Sequence, residues 1–195
     1  MKKMGIPLII IGAICLALGI YFVARSDSKS QKETSSVVNE NYKMGKDFEE
    51  YVVNLLNPRQ FKLIEKVNDY SGQYHKAERN KYCDIVFRDK ATNKEFAIEC
   101  KYRSSWHEYN GDMKVSWVEQ YKIDDYNKFS RDKNMSVVVM LGVGGTPDHP
   151  ADLYCIPLRA LQEPFPIRKS YAENFRLNPD KPIYWSNNIH NLENR

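Results

Sequence analysis

The stretch FAIECKYR, Phe96–Arg103, decides the fold, because it has the composition of a half-buried strand yet carries charges on one face. Side chains alternate between the two faces of a strand, so Glu99 and Lys101 point the same way and Cys100 points the other way. Two interpretations of the pair remain open here. It is either a solvated ion pair on an edge strand, which would add little stability, or part of a site.

A second run with strand composition precedes this stretch. CDIVF, residues 83–87, is separated from FAIEC by the turn-forming residues RDKATNKE. The two runs predict an antiparallel hairpin with a longer loop, in which Asp84 comes close to Glu99 at one end of the sheet. Neighbouring carboxylates repel each other unless a cation lies between them or one takes a proton. Mg²⁺ or Mn²⁺ held by Asp84, Glu99 and the backbone carbonyl of Cys100 would suit the preference of these ions for oxygen ligands.

Two further charged side chains fit such a site. An ammonium group beside the ion, here Lys101, can orient a water molecule, lower its pKa or neutralise an oxyanion, which are the needs of phosphodiester hydrolysis. Glu49 falls on the same side of the first predicted helix as Val53 and Leu56, whereas Glu50 falls on the solvated side. A carboxylate at an inward position needs a partner, and a metal site would supply one.

These residues resemble a known family. Asp84, a hairpin loop and then Glu99-Cys100-Lys101 look like the signature of the PD-(D/E)XK nuclease superfamily. GKDFE, residues 45–49, is similar to the G-x-x-F-E helix opening of its Mrr-like and Holliday-junction-resolvase-like branches. The resemblance runs in motif order from about residue 42 to residue 133. It departs at Cys83, where the family has proline, and at Asp124, where the RecB-like branch has tyrosine.

The resemblance implies a restriction-endonuclease-like fold and metal-dependent cleavage of DNA, with DNA favoured over RNA as the substrate. Asp84 and Glu99 would be metal ligands, Lys101 a water-positioning base or charge stabiliser, and Glu49 an accessory acid. Gln120 resembles the extra glutamine of some branches. A homodimer is one arrangement that the resemblance leaves open. The alternative function is a catalytically inactive nuclease-like domain that acts as a membrane-tethered binding module.

The order of predicted elements gives the fold class. Helical periodicity covers residues 42–57 and 117–129, with Val118, Tyr121, Tyr126 and Phe129 predicted to form the buried face of the second helix. Strands are predicted at residues 60–67, 83–87, 96–100, 136–143, 152–158 and 182–186. The continuous apolar run at 136–143 predicts a central strand covered on both faces. The class is therefore α/β, with a mixed central sheet flanked by helices.

The N-terminal segment is the most apolar part of the chain. Residues 5–24 carry no charge, and about twenty apolar residues suffice to cross a hydrocarbon core roughly 30 Å thick. They predict a transmembrane anchor at residues 1–24, followed by a flexible polar linker at 25–41 and the nuclease-like domain at 42–195. The alternative is a cleaved signal peptide, with MKK as its basic region. Ile14 disfavours a lipoprotein signal at Cys15.

The side of the membrane on which the domain lies is predicted from its cysteines and its expected substrate. Lysine and arginine residues flank both ends of residues 5–24, so their count does not set the orientation. Beyond Cys15 the chain has an odd number of cysteines without C-x-x-C spacing, which suits a reducing compartment better than a disulfide framework. The alternative is that these cysteines are simply small buried hydrophobic residues, which would say nothing about the compartment. The domain is therefore predicted to face the cytoplasm, where DNA is available.

Aromatic residues follow the charged strand closely. Tyr102, Trp106, His107 and Tyr109 lie beside Lys101 and Arg103 in sequence. They would either stack on bases next to phosphate-binding cations or cover an edge of the core. The net charge of +4 for the whole chain is too small to predict nucleic-acid binding by itself.

Overall fold

The computed structural model describes residues 39–67, 83–162 and 165–194. The predicted anchor at 1–24, most of the predicted linker at 25–41 and the polar loop at 68–82 lie outside the described residues. Residues 39–41, the end of that linker, are helical. Within the described ranges, no helix is both long enough and apolar enough to span a bilayer. The chain divides into two units, Met1–Lys43 and Met44–Arg195, and the sheet and the candidate site belong to the second.

The elements follow one another in the order helix, strands, helix, strands, as the sequence predicts. Helix α1 is described over residues 39–55, and helix α2 covers Gln120–Lys133. The first seven strands are β1 (Phe61–Lys66), β2 (Ile85–Asp89), β3 (Glu95–Arg103), β4 (His107–Tyr109), β5 (Asp112–Val115), β6 (Ser136–Thr146) and β7 (His149–Pro157). The C-terminal part contains β8 (Ile167–Arg168), the short helix α3 (Lys169–Ala172), β9 (Ile183–Ser186) and β10 (Asn191–Asn194).

The central sheet has five strands in the order β1-β2-β3-β6-β7. Only β3 and β6 are parallel, and the other neighbours are antiparallel. The connection from β3 to β6 passes through β4, β5 and α2, while β4-β5-β8 and β9-β10 form two small additional sheets. The predicted class, a mixed sheet flanked by helices, is confirmed.

Strand β6 is interior and buried on both faces, as the apolar run predicts. Val137, Val139, Leu141 and Val143 join one core cluster together with residues of α2. Val138 and Met140 join the other cluster together with residues of α1. The sheet therefore separates two cores, and each long helix covers one of them.

Helix α1 presents Phe48 and Val52 as a buried stripe, and Leu56, directly after the last helical residue, continues the stripe at the same spacing. It ends just before Asn57-Pro58, where proline disfavours helical conformation in the preceding residue. The ring of Phe48 lies so close to β6 that a Cβ atom at Gly142 would come within 2.5 Å of its Cε2 atom. Gly142 therefore allows the close packing of α1 on the sheet.

Helix α2 buries Ile123, Tyr126 and Phe129. The prediction that Tyr121 belongs to this face is wrong, because Tyr121 is 56% exposed. Val118 lies in the segment before the helix, which begins at Gln120. The face is set by the spacing of Ile123, Tyr126 and Phe129, and at 3.6 residues per turn Tyr121 lies roughly opposite Ile123.

Candidate active site

The candidate site lies where β2 separates from β3. The two strands pair from Arg88 opposite Glu95 to Ile85 opposite Ile98. The next residues along this register are Asp84 and Glu99, so the hairpin brings the two carboxylates to one end of the pairing, as the sequence predicts. The N–H of Cys100 donates a hydrogen bond of 2.7 Å to Oδ2 of Asp84. Asp84 is thus fixed against β3 by its side chain at the point where the backbone pairing ends.

The same hydrogen bond indicates where the Cys100 carbonyl points. The N–H and C=O groups of one residue point to the same side of an extended strand. Because the N–H of Cys100 points toward Asp84, its carbonyl oxygen also points to the Asp84 side of β3, away from β6. The backbone oxygen that the sequence analysis proposed as a ligand therefore lies on the side of the carboxylates.

Glu99 is buried, with 3% of its surface exposed, and has two partners. Its Oε1 atom accepts a hydrogen bond from Nζ of Lys101, with which it forms an ion pair. The same oxygen accepts a hydrogen bond of 2.5 Å from the hydroxyl of Tyr126 on α2. Glu99 is thereby held from its own strand and from the covering helix.

The pKa values of Asp84, Lys101 and Tyr126 are shifted by burial and by the neighbouring charges. Burial, together with the charges of Glu99 and Glu49, raises the pKa of Asp84 to about 8, against the opposing effects of Lys101 and the Cys100 N–H. Burial is the largest single effect on the pKa of Lys101 and lowers it, but the charges of Glu99 and Asp84 and the hydrogen bond to Glu99 together outweigh burial, so this pKa is raised. Burial and the neighbouring Glu99 also raise the pKa of Tyr126.

The donor atoms fit a hard divalent cation. Among the described residues, no group donates a hydrogen bond to Oδ1 of Asp84 or to Oε2 of Glu99, so each carboxylate keeps one oxygen available. No cluster of three or more His, Cys, Asp and Glu side chains suited to a metal occurs in these residues. The protein ligands would therefore be two carboxylates and the Cys100 carbonyl, and water would supply the rest, as is usual for Mg²⁺.

Glu49 approaches from the other face of the sheet. It is 7% exposed, on the α1 side, and Glu50 is exposed and paired with Lys66 at 2.6 Å, as the sequence predicts for both glutamates. Glu49 raises the pKa of Asp84 and of the Cys100 thiol, although burial is the larger cause in both. Both carboxylate oxygens of Glu49 also accept hydrogen bonds of 3.0 Å from Lys46. The sequence pattern alone does not indicate this partner of Glu49.

Gln120 is placed differently from the other predicted site residues. It begins α2 with an exposed side chain, and its Nε2 atom donates a long hydrogen bond of 3.4 Å to Asp124 on the same helix. The residue of α2 that reaches Glu99 is Tyr126. The sequence offers one signal for this contact: Tyr126 falls on the predicted buried face of the helix, and a buried tyrosine hydroxyl needs a hydrogen-bond partner.

The aromatic residues after β3 divide into two groups. Trp106 donates a hydrogen bond of 2.8 Å to Asp152 and packs edge-on against Tyr154. Tyr102 packs beside Phe48, with ring centroids 5.9 Å apart. His107 and Tyr109 are exposed on β4, and Tyr109 is 65% exposed. Trp106 and Tyr102 therefore cover an edge of the core, as one of the two interpretations predicts. His107 and Tyr109 are exposed and could still contact a ligand.

No protein-family model matches the sequence, and no match is found among the curated proteins. Among solved structures, the chain is similar to Hjc, a Holliday junction resolvase from Archaeoglobus fulgidus, with a TM-score of 0.47 and 19% sequence identity. The alignment covers 67% of this chain and 93% of that protein. By its own topology, the mixed sheet with a helix on each face fits a restriction-endonuclease-like fold.

Proposed function

We propose that this protein is a divalent-metal-dependent nuclease of the PD-(D/E)XK type that hydrolyses phosphodiester bonds, with DNA as its substrate. One observation carries the proposal: Asp84 and Glu99 meet at the end of a strand pair, and Lys101 forms an ion pair with Glu99 there. A structural ion pair alone would not need a second carboxylate held beside it, because neighbouring like charges repel.

The roles follow from the contacts. A Mg²⁺ or Mn²⁺ ion bound there would supply Lewis acidity and lower the pKa of its bound water. Asp84 and Glu99 would each offer the oxygen that is not engaged with the protein, and Cys100 its carbonyl. Lys101, held by Glu99, would place its charge and its remaining N–H donors beside the phosphate, where it orients water or neutralises the oxyanion. Tyr126 would keep Glu99 in position.

Glu49 is the accessory acid of this proposal. It lies on the α1 side with Lys46, close enough to influence the pKa of Asp84 and of the Cys100 thiol. In this place it would orient water at the edge of the site rather than bind the ion directly. The exposed side chain of Gln120 receives no role in this proposal.

The cellular arrangement is also a proposal. Residues 5–24 would anchor the chain in a lipid bilayer, and the nuclease domain would face the cytoplasm. Fluorescent-protein and phosphatase fusions at the C-terminus test this arrangement. Fluorescence without phosphatase activity is the expected result, and the opposite pattern would contradict a role on cellular DNA.

The activity is tested with the full chain, kept in solution in mild detergent because of its apolar N-terminal segment. Linear, branched and single-stranded DNA, and RNA, are incubated with Mg²⁺, Mn²⁺ or EDTA. We expect metal-dependent DNA cleavage that Asp84→Asn and Lys101→Met each reduce by about 100-fold or more. Asp132→Asn and Lys133→Met are matched controls, because both residues are exposed at the end of α2.

Two outcomes would contradict the nuclease. Cleavage that survives both site variants would come from other residues or from a contaminant. Absence of cleavage together with tight DNA binding would favour the alternative, a membrane-tethered binding module.

A further inference from the structure

Arg103 lies on the same strand face as the two charged residues of the candidate site. In β3 the alternation of side chains puts Glu99, Lys101 and Arg103 on one face. The positive charge of Arg103 lowers the pKa of Lys101, although other groups have larger effects, so the two cations are close enough to interact. Arg103 is thus the next side chain along the row that contains the candidate site.

The guanidinium of Arg103 is held by three backbone carbonyls. Its Nε donates to the Ser116 carbonyl at 2.7 Å, and its Nη2 donates to the Trp117 carbonyl at 3.0 Å. Its Nη1 donates to the Tyr102 carbonyl at 2.7 Å. A guanidinium has five N–H donors, so two remain after these contacts. The group is fixed in orientation but not saturated.

The charge of Arg103 has no acidic partner among the described residues, since none of their ion pairs includes it. Other cations of the domain differ in this respect, because Lys169 and Arg176 both pair with Asp152, at 3.0 and 2.7 Å. Partial burial lowers the pKa of Arg103, with no carboxylate to oppose the effect. Holding an unpaired, half-buried cation costs free energy, which an incoming anion would offset.

We propose that Arg103 binds a phosphate group of the DNA strand, adjacent to the phosphate that is hydrolysed at Asp84 and Glu99. This inference rests on the proposed nuclease function and adds a substrate-binding residue to it. A guanidinium recognises phosphate oxygens through paired N–H donors, and the two unused donors of Arg103 match that requirement. Its position beyond Lys101 places this contact next to the site of reaction.

A purely structural role makes a different prediction. Arg103 also fastens the segment before α2 through Ser116 and Trp117, and losing these bonds would lower stability in any case. Stability therefore does not distinguish the two roles. DNA affinity and its dependence on salt do, because each phosphate contact contributes about 0.9 to the slope of log K against log salt.

The experiment compares the full-length wild type with Arg103→Gln, Arg103→Lys and the control Arg131→Gln, which removes an exposed arginine at the end of α2. Binding of a short DNA duplex is measured in EDTA at several salt concentrations. We expect Arg103→Gln to weaken binding roughly tenfold at low salt. The slope of log K against log salt is negative, and its magnitude should decrease by about 0.9 in Arg103→Gln. In Arg103→Lys and Arg131→Gln this magnitude should stay near the wild-type value. Unchanged affinity and slope in Arg103→Gln would overturn the proposal.

A measurement on the wild type covers the case in which the variants do not fold. The side-chain N–H signals of its arginines are followed by NMR as the duplex is added in EDTA. The signals of Arg103 should shift and those of Arg131 should not, and an unchanged Arg103 signal would overturn the inference. If the wild type neither binds nor cleaves DNA, the proposed function fails. If the wild type binds and cleaves DNA, but Arg103→Gln leaves affinity and slope unchanged or the Arg103 signal does not shift, only the inference about Arg103 fails.

Discussion

The N–H of Cys100 donates a hydrogen bond of 2.7 Å to the carboxylate of Asp84. This contact takes the place of a strand-to-strand backbone bond at the position where β2 leaves β3. It holds Asp84 opposite Glu99 although burial and like charge disfavour two carboxylates there. An arrangement that opposes stability in this way is typical of a functional site.

The contact between Tyr126 and Glu99 leads to a prediction on α2. Tyr126→Phe removes the hydroxyl that donates to Glu99 but keeps the ring in the core. We expect a loss of about 1–3 kcal/mol in the free energy of unfolding, because a buried hydrogen bond to a charged group is lost. Cleavage should fall as well, since Glu99 loses one of its two anchors. Tyr121→Phe on the exposed side of α2 is the matched control and should change neither quantity in urea unfolding and cleavage assays.

Replacing a glycine by alanine should change the free energy of unfolding in opposite directions at two positions. At Gly142 a Cβ atom would come within 2.5 Å of the ring of Phe48, so Gly142→Ala should destabilise the protein by about 1–3 kcal/mol. At Gly45, in helix α1, a Cβ atom meets no heavy atom within 4 Å. Gly45→Ala should therefore stabilise the protein by about 0.5–1 kcal/mol through helix propensity. Urea unfolding measures both, and a destabilised Gly45→Ala would show that α1 packs differently.

A cluster around Asp152 predicts how stability depends on pH. Burial alone would raise the pKa of Asp152, but hydrogen bonds from Trp106, Arg176 and Lys169 lower it overall. A carboxylate with a lowered pKa in the folded state stabilises the protein above its unfolded pKa of about 4, and this contribution is lost as the pH falls. We expect the free energy of unfolding to decrease below about pH 4 in the wild type. The decrease should be smaller in Asp152→Asn, and an equal decrease in both proteins would contradict the role of Asp152.

Because Asp84 and Glu99 face each other, we expect Asp84 to lower the stability of the metal-free protein but to be required for metal binding. In EDTA, Asp84→Asn should be at least as stable as the wild type, because the neutral amide keeps an acceptor for the Cys100 N–H and replaces a carboxyl group whose pKa burial and the charge of Glu99 raise to about 8. Adding Mn²⁺ should raise the melting temperature of the wild type, since binding to the folded state stabilises it. The variant should show little or no rise. An equal rise in both proteins would place the ion elsewhere.

The central part of the fold was predictable from the sequence because its signals are local. The apolar run of β6 and the stripe of α1 each identify one element by periodicity alone. The turn-forming residues between CDIVF and FAIEC predict the β2–β3 hairpin. Once that hairpin is assigned, alternation places Asp84 opposite Glu99, so the main pair of the candidate site followed from two neighbouring elements.

The features that the sequence analysis missed depend on contacts between distant residues or on a weak local pattern. The hydroxyl of Tyr126 meets Glu99 only when α2 folds over the sheet, and the sequence does not show where the helix begins. This uncertainty is also why Tyr121 was assigned to the wrong face. The β4–β5 hairpin was missed although Asn110-Gly111, both with positive φ, forms a typical tight turn. Its strands have only three and four residues, so any alternation of polar and apolar side chains is too short to identify them as strands.

The most direct test of the central claim is a crystal structure of the full chain grown with Mn²⁺ and recorded at a wavelength where manganese scatters anomalously. We expect an anomalous peak between Asp84 and Glu99, about 2.0–2.3 Å from one oxygen of each carboxylate and from the Cys100 carbonyl. Asp84→Asn crystals grown in the same way should lack the peak or show it weakened. A map without a peak at this position, at a Mn²⁺ concentration that saturates cleavage, would contradict the claim that these two carboxylates hold the catalytic ion.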